Sequence, residues 1–287
     1  TNITFRVPVT YSDVFFGEWN VDKINYFMWY THIPLSIVIT ALYLLMVLFT
    51  PSYMKNREAF DLRWALTIWN LSLSLYSGIS FYYLAPYVFR TYMKGGVVAI
   101  ERSFTGMFCY NEDLYTDPVS GYVTWLYTMS KGPELLDTLF LILRKRPVIF
   151  MHWYHHFVTF MVGQVFYTAE IPWARYIFII NLSVHTVMYS YYGLRAAGIP
   201  TPGFISKFIT CFQITQFSSA FYVLARVGYA HVSRGIDNCE ADRDMIILGT
   251  ILVSTYLYLF VEYFHLTYVL KKSPTRRKDA VEEKKTE

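Results

Sequence analysis

Four histidines and three ionisable residues in the middle of the chain are spaced so that they could do chemistry together. His152, His155 and His156 form an HxxHH box, and their i, i+3 and i, i+4 spacings put them on one helix face. Before them run Lys131, Glu134 and Asp137, three residues apart and again near one face. After them come Asn181, His185, Met188, Tyr189 and Tyr192 at helical spacing, then Thr210, Gln213 and Gln216, three apart. Imidazole titrates near neutral pH and serves as a base or a nucleophile. It can attack a thioester to give an acyl-imidazole, while carboxylates fix its tautomer. Gln, Asn or a second His can donate to the oxygen that gains charge. The spacing alone does not rank His155 above His152 or His156 as nucleophile.

These groups sit in helices written for lipid. The chain of 287 residues is 54% hydrophobic and 16% charged, against roughly 25% charged in a soluble domain. Aromatic residues make up 20%, suited to interfacial belts and to lining an apolar cavity. A membrane helix needs about 20 apolar residues. Seven stretches qualify, roughly 28–50, 62–84, 122–143, 148–167, 173–194, 206–228 and 245–270. The expected fold class is therefore all-α integral membrane with seven transmembrane helices. Residues 1–270 form one catalytic domain and 271–287 a basic tail. Gly132-Pro133 should kink or loosen the third span.

Lys and Arg in short loops set orientation. Lys55, Arg57 and Arg63, then Arg144, Lys145 and Arg146, then Arg195 and Lys207, then the tail from Lys271 onward all fall on one side if the count is seven. That side is expected to be cytosolic, with the N-terminus lumenal. The opposite loops are mixed or acidic, with Asp237, Glu240, Asp242 and Asp244 against Arg234 and Arg243. Nothing in this pattern suggests nucleic acid; the bilayer is the expected partner. Cys109 and Cys239 lie in the two longest lumenal loops, where disulfides form, and are expected to pair. Cys211, inside the sixth span, is expected to be a small buried apolar residue. Asn2-Ile3-Thr4 matches a lumenal glycosylation acceptor. Lys284 and Lys285, close to a cytosolic C-terminus, resemble the retrieval signal of endoplasmic-reticulum membrane proteins.

Polar residues inside a membrane default to a functional reading. Asp137, His155, His185 and Gln213 each lie about six to nine residues from the cytosolic end of their spans, roughly 9–14 Å deep at 1.5 Å per residue. Four helices thus place polar groups in one slab. Helix-gluing hydrogen bonds would explain one Gln or one His, but not four imidazoles with Lys, Glu, Asp, Asn and two Gln. The basic turn Arg144-Lys145-Arg146, with Lys207 and Lys271 at the same level, suits the phosphates of coenzyme A. Two other readings stand beside an acyl-CoA enzyme. Membrane di-iron desaturases and hydroxylases also carry HxxHH, but in several boxes. Here there are seven His and one box, and only four His, or five with His265, share the slab. A seven-helix receptor or transporter would bind a lipid ligand or ion at the slab without chemistry.

The motifs Lys131-Gly132-Pro133-Glu134-Leu135-Leu136-Asp137-Thr138, His152-Trp153-Tyr154-His155-His156, the segment from Asn181 to Tyr192 and Thr210-Cys211-Phe212-Gln213-Ile214-Thr215-Gln216 occur in this order. In them the chain resembles the very-long-chain fatty-acid elongases of the ELO family, from about residue 28 to the tail. The resemblance implies that spans two to seven form a six-helix barrel of two inverted three-helix units around an acyl tunnel. The first span would be peripheral and the lumenal end closed. It implies condensation of acyl-CoA with malonyl-CoA to 3-oxoacyl-CoA, with no cofactor or metal. His155 would be the acylated nucleophile and His185 a second reactive imidazole. His152 and His156, with Glu134 and Asp137, would orient them. Trp153-Tyr154 is similar to the subgroup acting on saturated, monounsaturated or branched chains. Other enzymes of the elongation cycle are expected partners. Oligomeric state stays open, a homo-oligomer included.

Overall fold

The computed structural model describes residues 9–94, 108–111, 113–234 and 239–271. Asn2, Lys284 and Lys285 lie outside the described residues, as does the tail beyond Lys271. Among the described residues every regular element is helical. A short α1 (Tyr11–Phe15) is followed by α2 (Val21–Phe27), which runs through a π turn, Met28–His32, into α3 (Ile33–Met54). Then come α4 (Arg63–Lys94), α5 (Pro118–Glu134), α6 (Leu136–Leu143), α7 (Phe150–Thr168), α8 (Ala174–Ala196), α9 (Gly203–Arg234) and α10 (Arg243–Phe264). A second π turn, His265–Val269, ends α10. Three stretches, Val21–Met54, Gly203–Ser233 and Arg243–Val269, are long and apolar enough to cross a membrane. The chain is a multi-pass membrane protein.

Each of the seven apolar stretches read from the sequence lies mostly on helix, and some helices outrun them. α4 continues to Lys94 and α9 spans Gly203–Arg234. Hydropathy marks the apolar window, whereas a helix continues for as long as its backbone bonds are met. Caps fix the starts. Asp117 accepts from the N–H groups of Val119 and Ser120 ahead of α5, with Pro118 in its first turn. Asp242 does the same for α10 through Asp244 and Met245. Ahead of α1, hydrogen bonds from the Thr10 hydroxyl and N–H hold the Asp13 carboxyl below its ordinary value.

The third expected span is broken at Leu135. Pro133 has no N–H to give Met129, and Leu135 N–H turns to the Gly132 carbonyl at 3.1 Å, tightening the backbone before α6 begins. α6 ends in a Schellman turn. Lys145 takes a positive φ of 53°, its N–H donates to Ile142 and that of Arg146 to Leu141.

The helices pack in a definite order. α4 lies along α8 in the most extensive pairing and also touches α5; α5 packs on α7, α7 on α10, α10 on α9 and α9 back on α8. α3 lies outside this sequence, against α6 and α7. The α4–α8 seam is close because its residues are small. Ser74 Oγ is 2.7 Å from Ser190 Oγ and donates to the Thr186 carbonyl, and a Cβ on Gly193 would come within 2.8 Å of Leu71. At the end of α8, Gly198 adopts φ +83°, and the Arg63 guanidinium donates to the neighbouring Ala197 carbonyl.

The opposite end is a cap. Its core includes Phe27, Leu84, Leu114, Trp125, Tyr167 and Trp173, all almost wholly buried. Cys109 and Cys239 are bridged, with Cα atoms 4.6 Å apart. Glu240 N–H donates to the Cys109 carbonyl, and Asn111 N–H to the Glu240 carboxylate. Buried Arg175 donates to the Pro172 and Tyr110 carbonyls. Cys211 corrects an expectation: it is exposed, not buried. It falls at helical spacing from Phe204 and Phe208 on the outward face of α9, where a thiol serves as well as any small apolar group.

Because the bridge spans 130 residues, replacing both cysteines by serine should remove about 2–4 kcal/mol. Thermal unfolding of detergent-purified protein checks this. The double variant should melt lower, and reductant should lower the melting point of the unaltered protein but not of the variant.

Candidate active site

The break at Leu135 leaves Glu134 as the last residue of α5 and Asp137 near the start of α6. Each carboxylate organises its own group of partners. Lys131 Nζ lies 2.8 Å from Glu134 Oε1, and both side chains are about 4% exposed. A buried ion pair survives only if its remaining donors and acceptors are met. Here Ser130 Oγ donates to Glu134 at 3.1 Å, and Lys131 reaches Asn181 Oδ1 at 3.4 Å while lying over the Tyr127 ring. Tyr127 OH donates to the same Asn181 oxygen at 3.0 Å. His185 Nδ1 stands 3.9 Å from Glu134 Oε1, within ion-pair range but beyond a direct hydrogen bond.

Asp137 is held by two neutral donors. Trp69 Nε1 donates at 2.7 Å from α4 and Tyr189 OH at 2.8 Å from α8. His156 Nε2 is 4.0 Å away, again near without bonding. Each carboxylate therefore faces an imidazole from another helix, at a distance that one water or a small shift would close.

The box histidines are neither fully buried nor fully exposed. The rings of His152 and His156 are 4.5 Å apart, and those of His155 and His156 5.5 Å. His152 Nε2 contacts Thr138 Oγ1 at 3.1 Å, and Thr138 in turn contacts Tyr43 OH of α3 at 2.8 Å. His155 makes its ring contacts with α10: Tyr256 at 5.0 Å and Phe260 at 6.5 Å. Tyr256 OH is fixed 3.1 Å from Thr159, one turn beyond His155. Packed on these aromatic rings and making no hydrogen bond among the described residues, the His155 ring leaves a nitrogen lone pair available whenever it is unprotonated.

The expected slab is thus partly assembled by direct contact. Lys131, Glu134, Asp137, His156, Asn181, His185 and Tyr189 form two linked clusters, and His152 and His155 adjoin them through ring contacts. Gln213 approaches α8 through Met188 Sδ at 3.2 Å, and Gln216 is buried on α9. Tyr192 is 45% exposed and packs beside Tyr191, outside these contacts. Among the cations, Lys145 Nζ donates to the Lys55 and Arg57 carbonyls, bracing the loop after α3. Lys207 is exposed with its ammonium 5.7 Å from the Phe264 ring, and Lys271 follows the last π turn. Among the described residues no group of three or more His, Cys, Asp or Glu converges as a metal ion requires.

Sequence reasoning missed Trp69, Tyr43, Tyr127, Thr159 and Tyr256. One signal was present: an indole N–H or phenol buried among apolar helices needs a polar partner, which is a carboxylate for Trp69, an amide for Tyr127 and a threonine for Tyr43 and Tyr256. Nothing local in the sequence assigns Trp69 to Asp137 rather than to another acceptor.

Residues 28–276 match the family described as ELO: GNS1/SUR4 family. The chain is 41% identical over 267 residues to "Long chain fatty acid elongase 2" of Caenorhabditis elegans, covering 93% of this chain and 94% of that protein. It is 38% identical to "Long chain fatty acid elongase 1" of the same organism, over 88% and 85% of the two chains. With "Very long chain fatty acid elongase 3" of Homo sapiens it shares 30% identity over 87% of each. With the HxxHH imidazoles and the buried Lys131–Glu134 pair set in this helical frame, the chain belongs to the ELO (GNS1/SUR4) family.

Proposed function

We propose that the chain, a fatty-acid elongase by its family, performs the condensing step: decarboxylative Claisen condensation of a long-chain acyl-CoA with malonyl-CoA. The observation that carries this reading is the approach of two carboxylates to two imidazoles from different helices, Glu134 to His185 at 3.9 Å and Asp137 to His156 at 4.0 Å, beside the half-buried ring of His155. In the first half-reaction a nitrogen of His155 attacks the thioester carbonyl. The C–S bond breaks, the imidazole proton passes to the thiolate, and CoA leaves as the thiol. In the second, malonyl-CoA loses CO2, and the resulting enolate forms the C–C bond to the acyl carbon. The released imidazole takes up a proton. The products are 3-oxoacyl-CoA, CO2 and CoA.

The carboxylates orient His185 and His156 and favour their protonated forms when charge develops. Asn181, Gln213, Gln216, Tyr189 and Tyr192 belong to the polar lining in this reading. Arg144, Lys145, Arg146, Lys207 and Lys271 gather at one end of the helices, where CoA phosphates would lie. Trp153-Tyr154 favours saturated, monounsaturated or branched acyl chains as substrates.

The same reading has seven membrane spans, with α4, α5–α6, α7, α8, α9 and α10 forming a barrel around the acyl chain and α3 outside it. The cyclic order of helix contacts and the aromatic core at the disulfide end support it. Residues 1–270 are then one catalytic domain and 271–287 a tail. The basic end faces the cytosol and the bridged end the lumen of the endoplasmic reticulum, an oxidising compartment. Reductases and dehydratases completing the cycle would act on the product from the cytosolic side.

Purified protein given labelled malonyl-CoA, with chelator present, should form labelled 3-oxoacyl-CoA from saturated, monounsaturated or branched acyl-CoA. No product from any acyl-CoA, or activity restored only by iron, would sink the proposal. His155→Ala should fold yet lose acyl-CoA-dependent CoA release, measured without malonyl-CoA, by at least about 100-fold. Asp137→Asn, which keeps the Trp69 and Tyr189 bonds possible but removes the charge near His156, should lower kcat by about 10- to 100-fold with little change in KM. Tyr256→Phe retains the ring against His155 and should cost less than about tenfold, whereas Tyr256→Leu, which removes it, should cost more.

A further inference from the structure

Between α3 and the α6–α7 connection lies a crevice of about 760 Å3, within the range of about 300–1,000 Å3 typical of ligand sites. One wall is apolar, formed by Leu44, Val47, Leu48 and Pro51 of α3. Trp153 of the histidine box contributes to the facing side. Leu48 and Pro51 are exposed, so this wall continues onto the outer surface of the helices. At one end stand two cations, Lys145 and Arg146, and among the described residues no carboxylate lines the crevice. Lys145 is fixed there by its positive φ and by its bonds to the Lys55 and Arg57 carbonyls. Arg146, the next residue, is exposed. Long apolar wall, indole and cationic lip are arranged as an acyl chain, an interface and an anionic headgroup would require.

The crevice is not the acyl site of the condensation. Trp153 is two residues before His155, about 200° around the helix from it. A carbonyl held against Trp153 therefore lies on the far side of α7 from the proposed nucleophile. Its cations stand at the helix ends, the depth of lipid phosphates, and basic pockets between helices on a cytosolic face bind anionic headgroups.

We infer that this crevice binds one anionic phospholipid of the surrounding leaflet, its acyl chain along α3 and its phosphate on Arg146. The inference rests on the proposed placement of this end at the cytosolic membrane surface, not on the condensation chemistry, and it reassigns Lys145 and Arg146 from the CoA phosphates to the lipid, leaving Arg144, Lys207 and Lys271 for CoA. Lipid retention is read without turnover, so either proposal can fail while the other stands.

Native mass spectrometry of the full chain in detergent, offered equal phosphatidylserine and phosphatidylcholine, tests it. The unaltered protein should retain one phosphatidylserine with about tenfold preference. Arg146→Gln, at an exposed position, should abolish that preference, and Val47→Trp should fill the crevice and reduce retention of both lipids. Equal retention by the unaltered protein, or an undiminished preference in Arg146→Gln, overturns the assignment. So does one-for-one displacement of the lipid by palmitoyl-CoA, which would place the crevice on the substrate's path.

Discussion

Lys131 and Glu134 pair where both side chains are almost wholly shielded from solvent. Stripping one partner from a buried pair costs about 3–5 kcal/mol, because the other is left charged and unsolvated. The neighbouring architecture follows from that demand. Ser130 and His185 are drawn to the carboxylate, while Asn181 and the Tyr127 ring are drawn to the ammonium. Since Asn181 and His185 belong to α8, satisfying the pair fixes how α8 is rotated against α5. That rotation brings Tyr189 to Asp137, and the small residues of the α4–α8 seam then set Trp69 on the other oxygen.

α3 stands outside the cycle of helix contacts but is not a passive tether. Its Tyr43 hydroxyl meets Thr138, which meets His152, so the box is braced from behind. From in front it is braced by Tyr256, anchored on Thr159. The histidine helix is thus held on two sides by phenols, and neither brace needs a charge. That suits a site where every uncompensated charge is costly.

The positions and helical phase of the polar motifs were legible in the sequence. Polarity inside apolar runs is rare enough to be read directly, and 3.6-residue periodicity tells which residues share a face. The cysteine pairing was legible because the expected span order put both thiols in loops on the same side. The hidden part was partner choice. Trp69, Tyr43 and Tyr256 are aromatic residues among a great many aromatics, and only packing decides which of them meets a carboxylate, a threonine or an imidazole. Cys211 shows the same limit in reverse: inside an apolar stretch, sequence does not say whether a small residue turns inward or toward lipid. Helix ends were also blurred, since α4 and α9 continue beyond their apolar windows.

The interruption at Leu135 has a mechanical meaning. It assigns the two carboxylates to different bodies. Glu134 closes a helix that runs from beside the disulfide, so its position is inherited from the covalently locked end. Asp137 opens a short helix that leans on α3 and ends at the braced lysine turn, so its position is inherited from the opposite end. The two-step condensation proposed above would ask its acid–base groups for different settings in each step. Hanging one on a fixed frame and the other on an adjoining segment lets one setting change without disturbing the other.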